Sequence, residues 1–260
     1  MLMSEKGTAL ITGASEGIGY ELTKLFAKDG YDLVLVARNE AKLNEIADEL
    51  SLAYGISARV IAKDLSKPDA PDGIYSELSR DGVAITALVN NAGYVVYGPF
   101  AERDVSEELD MLQVLVCAPT KLTGLFLKDM LRGKGGKILN VGSIGSFSPG
   151  PLTAVYCAAK SYILSFSHGI AEELKGSNVT VTTVCPGATR TQFASRGNVE
   201  NVLGARHGMM SAQKVAEIAY KALMNNKRHV VTGVHNKVLI SSGRLMPLAV
   251  QAKVARIFMS

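Results

Sequence analysis

The stretch Thr8-Ala-Leu-Ile-Thr-Gly-Ala-Ser-Glu-Gly-Ile-Gly19 joins a short apolar run to the start of an amphipathic segment. The run Thr8–Thr12 predicts a buried strand, and apolar side chains recur at helical spacing over residues 17–28. Glycines at such a strand-to-helix junction let the backbone turn tightly. The N-terminus of the helix then offers free N–H groups and partial positive charge to a pyrophosphate. The glycines, in the order Gly-x-x-x-Gly-x-Gly, are Gly13, Gly17 and Gly19. Structural turns also need glycine, so this stretch alone is a weak sign of a nucleotide site.

Short apolar runs alternate with longer amphipathic segments along most of the chain. The runs are almost continuously apolar, which indicates strands buried on both faces, as in a parallel sheet covered by helices. We therefore predict one doubly wound α/β domain over residues 1–260, with a central parallel sheet of about seven strands, helices on both faces and right-handed crossovers. The predicted strands are 8–12, 32–37, 58–63, 84–90, 137–141, 178–185 and 229–232, and the predicted helices are 17–28, 40–53, 74–80, 107–132, 154–175 and 211–224.

The composition narrows the class of protein. Of the 260 residues, 47% are apolar and 20% are charged, which supplies a full core and excludes wholesale disorder. The three cysteines are odd in number and widely spaced, so they form neither a disulfide framework nor a zinc pattern, and the four histidines show no metal-ligand spacing. We expect no metal site and a cytoplasmic location. We expect the cysteines to be small buried apolar residues: Cys117, Cys157 and Cys185.

Two segments of the C-terminal part depart from the regular alternation. Residues 188–210 contain few apolar side chains and no clear periodicity, which is typical of a lid over a binding site. Residues 234–260 form an extension in which a helix begins after Pro247 and carries an apolar stripe at Val250, Val254, Ile257 and Phe258. We favour packing of this stripe on the lid or on a second subunit over contact with an anionic membrane surface, because each cation contributes only about 1 kcal/mol there.

The charge is distributed unevenly. After Glu217 the chain has seven basic residues and no acidic one, which fits either a solvated basic face or an anionic partner. This region lacks interleaved aromatic residues and any nucleic-acid motif, so we expect no nucleic-acid partner. The long charge-free stretch Ile138–Ala159 is interrupted by glycines and prolines, and we predict that it does not span a membrane.

Further motifs follow in an order that resembles a known family. Asn90-Asn-Ala-Gly93 follows the fourth predicted strand, Ser143 the fifth, and Tyr156-Cys-Ala-Ala-Lys160 stands thirteen residues after that serine. Pro186-Gly187 follows the sixth strand, with Thr191 four residues later. Together with the glycine turn, this ordered set resembles the short-chain dehydrogenases/reductases, in particular their broad bacterial group, over nearly all of residues 8–235. The resemblance implies a Rossmann-type fold, a nicotinamide cofactor, a small-molecule carbonyl or alcohol substrate, and a homodimer or homotetramer.

The end of the second strand bears on which nicotinamide cofactor is bound. A carboxylate there would bind both adenosine ribose hydroxyls and select NAD(H), but the chain reads Val36-Ala37-Arg38. The Arg38 guanidinium can hold a 2′-phosphate, so we favour NADP(H) over NAD(H). Arg38 as an ordinary surface residue is the alternative, and Glu16 is a mild argument against the phosphate. Asp64-Leu65 resembles the family's adenine-binding pair, although an aspartate that starts a turn is nearly as good an interpretation.

We expect cofactor contacts from the residues of the glycine turn, from the end of the second strand and from most of these motifs. They are Gly13, Ser15, Glu16, Gly17, Ile18, Gly19, Arg38, Asp64, Leu65, Asn91, Ala92, Gly93, Tyr156, Lys160, Pro186, Gly187 and Thr191.

The candidate catalytic residues are Ser143, Tyr156 and Lys160. Tyr156 and Lys160 are four residues apart on a predicted helix and therefore share one face. A free phenol titrates near 10, and a nearby ammonium together with an oxidised nicotinamide would favour the phenolate, so that Tyr156 can act as acid and base. Ser143 can donate a hydrogen bond to the reacting carbonyl oxygen. Taken alone, Tyr156 would be read as a core tyrosine, and Asn91 as part of an ordinary turn.

One residue departs from the family pattern. Members usually carry an asparagine in the middle of the fourth helix, where it completes a Ser-Tyr-Lys-Asn set and a water-mediated proton relay, and alignment places Leu115 there. We expect a working but slower NADP(H)-dependent reductase. The alternative is a non-catalytic NADP(H)-binding regulatory protein. The apolar residues of the lid and of Tyr94–Tyr97 suggest lipid-like, steroid-like or 3-ketoacyl substrates.

Overall fold

The fold is known from a computed structural model that describes residues 6–191, 209–243 and 246–259. Seven parallel strands form the central sheet, in the order β3-β2-β1-β4-β5-β6-β9. They are β1 (Thr8–Thr12), β2 (Asp32–Ala37), β3 (Ala58–Ala62), β4 (Ile85–Asn90), β5 (Gly136–Val141), β6 (Val179–Cys185) and β9 (His229–Val231). A separate parallel pair consists of β7 (Thr189–Arg190) and β8 (Met210–Ser211). The doubly wound topology predicted from the alternation is therefore confirmed.

Helices connect the strands and cover both faces of the sheet. They are α1 (Gly17–Lys28), α2 (Glu40–Tyr54), α3 (Ala70–Arg80), α4 (Val105–Leu112), α5 (Ala118–Arg132), α6 (Ala154–Glu173), α7 (Ala212–Met224), α8 (Val234–Gly243) and α9 (Leu248–Met259). A π-helical turn, Gln113–Cys117, joins α4 to α5, and short 3₁₀ turns lie at Phe100–Glu102 and Ile144–Phe147.

The core is divided into two layers by the alternation of side chains along the strands. Ile11 of β1 faces the layer that contains Leu22 and Phe26 of α1 and residues of α2 and α7. Its neighbour Leu10 faces the other layer, with Leu122 of α5 and residues of α3. Since successive side chains of a strand point to opposite faces, a continuous apolar run is what a sheet covered on both sides requires.

Helix starts follow the local sequence where a short polar residue is available. Asn39, Asp104 and Ser211 each accept a hydrogen bond from a backbone N–H in the first turn of α2, α4 and α7. At the start of α7, the donor to Ser211 Oγ is the backbone N–H of Lys214, at 3.2 Å. The predicted strands and helices agree with the structure to within a few residues at each end.

Several sequence-based expectations need correction. Cys157 and Cys185 are buried as expected, but Cys117 is exposed because the π-helical turn rotates it away from the sheet. The predicted helix 107–132 is interrupted by that turn, and the short helix α8 was not predicted as an element. Most of the expected lid, residues 192–208, lies outside the described residues.

The helical stretch Val105–Arg132 is long and apolar enough, by length and composition, to cross a membrane. Its apolar side chains Leu122, Phe126 and Met130 pack on the sheet, so its apolar character is explained by the core. Ile138–Ala159 forms a strand, a 3₁₀ turn and the start of α6 rather than one helix. In α9 the described residues of the predicted stripe, Val250, Val254 and Ile257, are exposed.

Candidate active site

The glycine turn after β1 is tied to the segment after β4. Asn91 donates hydrogen bonds from Nδ2 to the carbonyl oxygens of Thr12 (2.9 Å) and Gly13 (3.2 Å). The hydroxyl oxygen of Thr12 accepts from the backbone N–H groups of Asn91 (3.0 Å) and Ala92 (3.1 Å). Asn91 therefore fixes the glycine turn at the C-terminal edge of the sheet, where a cofactor is expected.

The turn leaves the N-terminus of α1 suited to a pyrophosphate. Gly17 has φ +57° and lies against Thr191, while Gly19 lies so close to Gly13 O that a Cβ there would overlap it. The side chain of Glu16 makes no capping hydrogen bond to α1. Backbone N–H groups at an uncapped helix start bind anionic groups well, so this part of the chain fits a dinucleotide.

The end of β2 presents a positive charge to the same edge. Arg38 is exposed, and it lies near enough to Tyr94 to lower the pKa of that phenol, while burial raises the pKa of Tyr94 to about 12. Asp64 also faces Tyr94, and its carboxylate accepts the backbone N–H of Ser66 at 3.0 Å. Asp64 thus forms the turn that was its alternative interpretation. Tyr94, which the sequence placed with the substrate residues, lies beside Arg38 and Asp64 and also packs in the apolar cluster that contains Tyr156.

The three candidate catalytic residues, Ser143, Tyr156 and Lys160, come together near the carboxyl end of β5. Ser143, directly after β5, starts the 3₁₀ turn, and its Oγ accepts the backbone N–H of Gly145 at 3.1 Å. Its side chain also hydrogen bonds to that of Tyr156. Lys160, only 5% exposed, donates from Nζ to Val141 O at 2.7 Å, and this Nζ lies 5.8 Å from the centre of the Tyr156 ring.

Burial sets the protonation of this group. It raises the pKa of Tyr156 to about 12, and the hydrogen bond with Ser143 opposes that rise. Burial also lowers the pKa of Lys160 to about 8. The expected lowering of the phenol pKa is therefore absent from the chain by itself, because desolvation outweighs the hydrogen bond with Ser143. At neutral pH, Tyr156 holds a proton and Lys160 is largely charged.

Leu115, to which the resemblance assigns the asparagine position, is buried and lines the same small cavity as Lys160. It is in the π-helical turn, 2% exposed, and a Cβ added to Gly93 would come within 2.6 Å of its Cδ2 and 4.0 Å of Lys160 Nζ. An apolar side chain therefore occupies the space beside Lys160 where the family usually has an asparagine.

The segment after β6 closes the other side of the site. The carbonyl oxygen of Pro186 accepts the backbone N–H of Ile144 at 2.9 Å, which links this segment to the turn that holds Ser143. Gly187 lies against Asn236 of α8, so tightly that a Cβ would overlap the amide, and Asn236 Nδ2 donates to Thr232 O at 2.7 Å. The sequence analysis missed Asn236. The helical spacing of Val234 and Val238 was the signal that could have found its helix.

Comparisons with known proteins agree with this geometry. A sequence model of the short chain dehydrogenase family matches residues 7–201. The chain is 37% identical over 186 residues to a very-long-chain 3-oxoacyl-CoA reductase of Phaeosphaeria nodorum, which covers 69% of this chain and 54% of that protein. It is 33% identical over 231 residues to an uncharacterised oxidoreductase of Bacillus subtilis, covering 87% and 94% of the two chains.

A solved structure also has the same fold as this chain. A short-chain dehydrogenase from Sphingobium yanoikuyae in complex with NADPH superposes with a TM-score of 0.83 at 28% identity, covering 92% of this chain and 94% of that one. The chain spans about half the length of the 3-oxoacyl-CoA reductases that it matches.

Proposed function

This chain belongs to the short-chain dehydrogenase family, and from that premise we propose that it is an NADP(H)-dependent reductase that converts a ketone or aldehyde to an alcohol, or the reverse, with Tyr156 as acid and base. It is an oxidoreductase acting between CH–OH and C=O groups, and its cofactor is a nicotinamide dinucleotide. The observation that carries the finer proposal is the meeting of Ser143, Tyr156 and Lys160 at the end of β5, on the edge of the sheet where the glycine turn also lies.

The residues divide the work of carbonyl reduction. When bound, the cofactor supplies the hydride. The Ser143 hydroxyl, at the rigid end of β5, can donate a hydrogen bond to the carbonyl oxygen and stabilise the negative charge that develops there. Tyr156 holds its proton at neutral pH, since burial raises the pKa of its phenol, and it can give this proton to the same oxygen. The Lys160 ammonium, fixed by Val141 O, then stabilises the phenolate that remains.

Arg38 supports the preference for NADP(H). It follows Ala37 at the end of β2, where no carboxylate is present to bind the 2′-hydroxyl, and its exposed guanidinium is available to a 2′-phosphate. The relative whose structure contains NADPH is consistent with this preference.

Arg38→Gln is expected to raise the Kd for NADPH by about tenfold to a hundredfold, because a hydrogen bond to a charged group contributes roughly 1.5–3 kcal/mol. The Kd for NADH should change by less than about twofold, since NADH lacks the 2′-phosphate. Titration of cofactor fluorescence measures both constants. Arg80→Gln is the matched control, because Arg80 lies in the last turn of α3 and pairs with Asp81. Equal weakening of NADPH and NADH by Arg38→Gln would contradict the assignment.

The substrate class follows from the relatives and from the apolar surroundings of the site. The 3-oxoacyl-CoA reductases suggest a 3-ketoacyl thioester, and bulky lipid-like or steroid-like ketones are the other members of the panel. The test is the loss of NADPH absorbance in the near ultraviolet with each compound, with NADH in parallel. Turnover with NADPH on at least one carbonyl compound supports the proposal.

Leu115 beside Lys160 favours a second candidate, a non-catalytic NADP(H)-binding regulatory protein. A non-catalytic protein of this kind would bind NADPH tightly and show no turnover across the panel, and its Leu115→Asn variant would show no turnover either. Turnover that disappears when the tyrosine hydroxyl is removed would exclude it.

A further inference from the structure

A buried polar network fixes the orientation of the Asn90 side chain. The Ser167 hydroxyl donates to Ile163 O at 2.6 Å, so its oxygen is the acceptor for Asn140 Nδ2 at 2.8 Å. Asn140 Oδ1 then accepts from Asn90 Nδ2 at 2.8 Å, and the same Nδ2 donates to Thr123 Oγ1 at 3.1 Å. Because both hydrogens of Nδ2 are used on this side, Oδ1 of Asn90 must point the other way.

A small cavity of about 10 Å³ lies against Asn90. Asn90 and Lys160 contribute to its lining, and the apolar part of the lining includes Leu115, Leu122 and Ile163. A single water molecule needs about 10–15 Å³ together with two to four polar partners. The cavity therefore has the size for one water and no more.

Two polar groups at this cavity can still form hydrogen bonds. Asn90 is 7% exposed, and its Oδ1 has no hydrogen-bond partner among the residues that the structure describes. A buried acceptor without a partner destabilises the protein, and a water would satisfy it. Lys160 Nζ carries three hydrogens when charged, and the carbonyl oxygen of Val141 accepts one. Thr12, also in the lining, is already used, since its hydroxyl donates to Val89 O and accepts from two N–H groups.

We propose that Asn90 is a positioning residue that holds one water between its Oδ1 and Lys160 Nζ, in place of the asparagine that the family usually has at the position of Leu115. The water accepts a hydrogen bond from the ammonium and donates one to Oδ1. It thereby solvates the charged lysine in an otherwise apolar pocket and keeps it charged beside Tyr156. This inference rests on the proposed function. It removes the reason to expect a slower enzyme, because Lys160 keeps a polar partner although Leu115 stands in place of the asparagine.

The proposal predicts a change in pH dependence. Activity requires the charged lysine, so kcat falls as pH rises through the pKa of Lys160. Loss of the water destabilises the charged form and moves this fall to a lower pH, by about one unit. The titratable groups that the structure places against Lys160 are Tyr156 on the same helix and Cys185 on β6, and burial raises the pKa of both to about 12, so both stay neutral in this range.

Asn90→Ala is expected to lower kcat by about tenfold or more, with this shift of the alkaline limb. Thr123→Val is the matched control, because it removes a partner of Nδ2 in the same buried network and leaves Oδ1 in place. We expect its kcat to stay within about threefold and its pH profile to stay in place, even if its stability falls. Leu115→Asn combined with Asn90→Ala should regain most of the lost rate, which repair of a merely structural defect would not produce.

Three results would overturn the proposal. They are equal losses for Asn90→Ala and Thr123→Val, a rise of about tenfold in kcat for Leu115→Asn alone, and the absence of a water between Asn90 Oδ1 and Lys160 Nζ in a high-resolution crystal structure of the unliganded protein. The crystal structure needs no activity. It therefore shows whether the water is present even if the wild type reduces no carbonyl compound. Such a lack of reduction would contradict the proposed function and not the position of the water.

Discussion

Tyr156→Phe is expected to lower kcat for carbonyl reduction by roughly 10²–10⁴-fold, the usual contribution of a positioned acid and base. The substitution removes one hydroxyl and keeps the ring that packs with Val96 and Ala159. Burial raises the pKa of this phenol to about 12, so at neutral pH the wild-type group carries the proton that the product oxygen needs. Phenylalanine has no proton to give, and Ser143 can only stabilise charge on that oxygen. The measurement is steady-state NADPH oxidation at saturating substrate.

The loss must be distinguished from a general effect of removing a tyrosine hydroxyl from α6. Tyr162→Phe is a matched control, because Tyr162 is on the same helix, 40% exposed, with its hydroxyl 3.1 Å from that of Thr120. We expect its kcat to remain within about twofold of wild type, as for most exposed substitutions. If Tyr156→Phe kept more than about a tenth of the wild-type rate, another group would have to supply the proton.

The sequence predicted most of the fold because the decisive information is local. Runs such as Asp32–Ala37 are apolar at every interior position, which only a sheet covered on both faces accommodates. That the site residues lie close together was predictable for the same reason. The carboxyl ends of parallel strands meet at one edge of a sheet, so Asn91 and Ser143 had to lie near the glycine turn once β1, β4 and β5 were identified.

Features that depend on contacts between distant segments were not predictable. The exposure of Cys117 coincides with a π-helical turn, in which one extra residue rotates the helix face. The placement of Tyr94 beside Arg38 depends on how the segment after β4 folds back on β2. The orientation of Asn90 depends on a chain of hydrogen bonds that reaches Ser167 on α6.

The direction of the Tyr156 pKa shift could not be predicted from the sequence either. Spacing placed Lys160 near Tyr156, and proximity of a cation lowers the pKa of a phenol. Packing buries Lys160 and half-buries Tyr156, and desolvation raises the pKa of the phenol. Only the structure shows that desolvation is the largest effect on this pKa. The result is a pair in which tyrosine stores the proton and lysine stays charged at neutral pH, which suits reduction.

The second large effect is expected at Gly19, where the backbone of α1 approaches the glycine turn. A Cβ at this position would overlap Gly13 O and Asn91 Nδ2. Neither atom can move freely, because the Gly13 N–H donates to Val36 O at 2.8 Å and Asn91 Nδ2 donates to Thr12 O at 2.9 Å. The helix must therefore shift away from the sheet, and with it the first-turn N–H groups that are proposed to bind the pyrophosphate.

Gly19→Ala is expected to lower the free energy of unfolding by about 1–3 kcal/mol, as overpacking usually does, and to raise the Kd for NADPH by more than about tenfold. Gly124→Ala is the matched control, because Gly124 lies within α5 with no atom within 4 Å of an added Cβ. Alanine should stabilise that helix by about 0.5–1 kcal/mol and leave the Kd unchanged. Chemical denaturation and fluorescence titration measure the two quantities. Any shift of this helix off the sheet moves its first-turn N–H groups. An unchanged Kd for Gly19→Ala would therefore mean that the N-terminus of α1 does not hold the pyrophosphate.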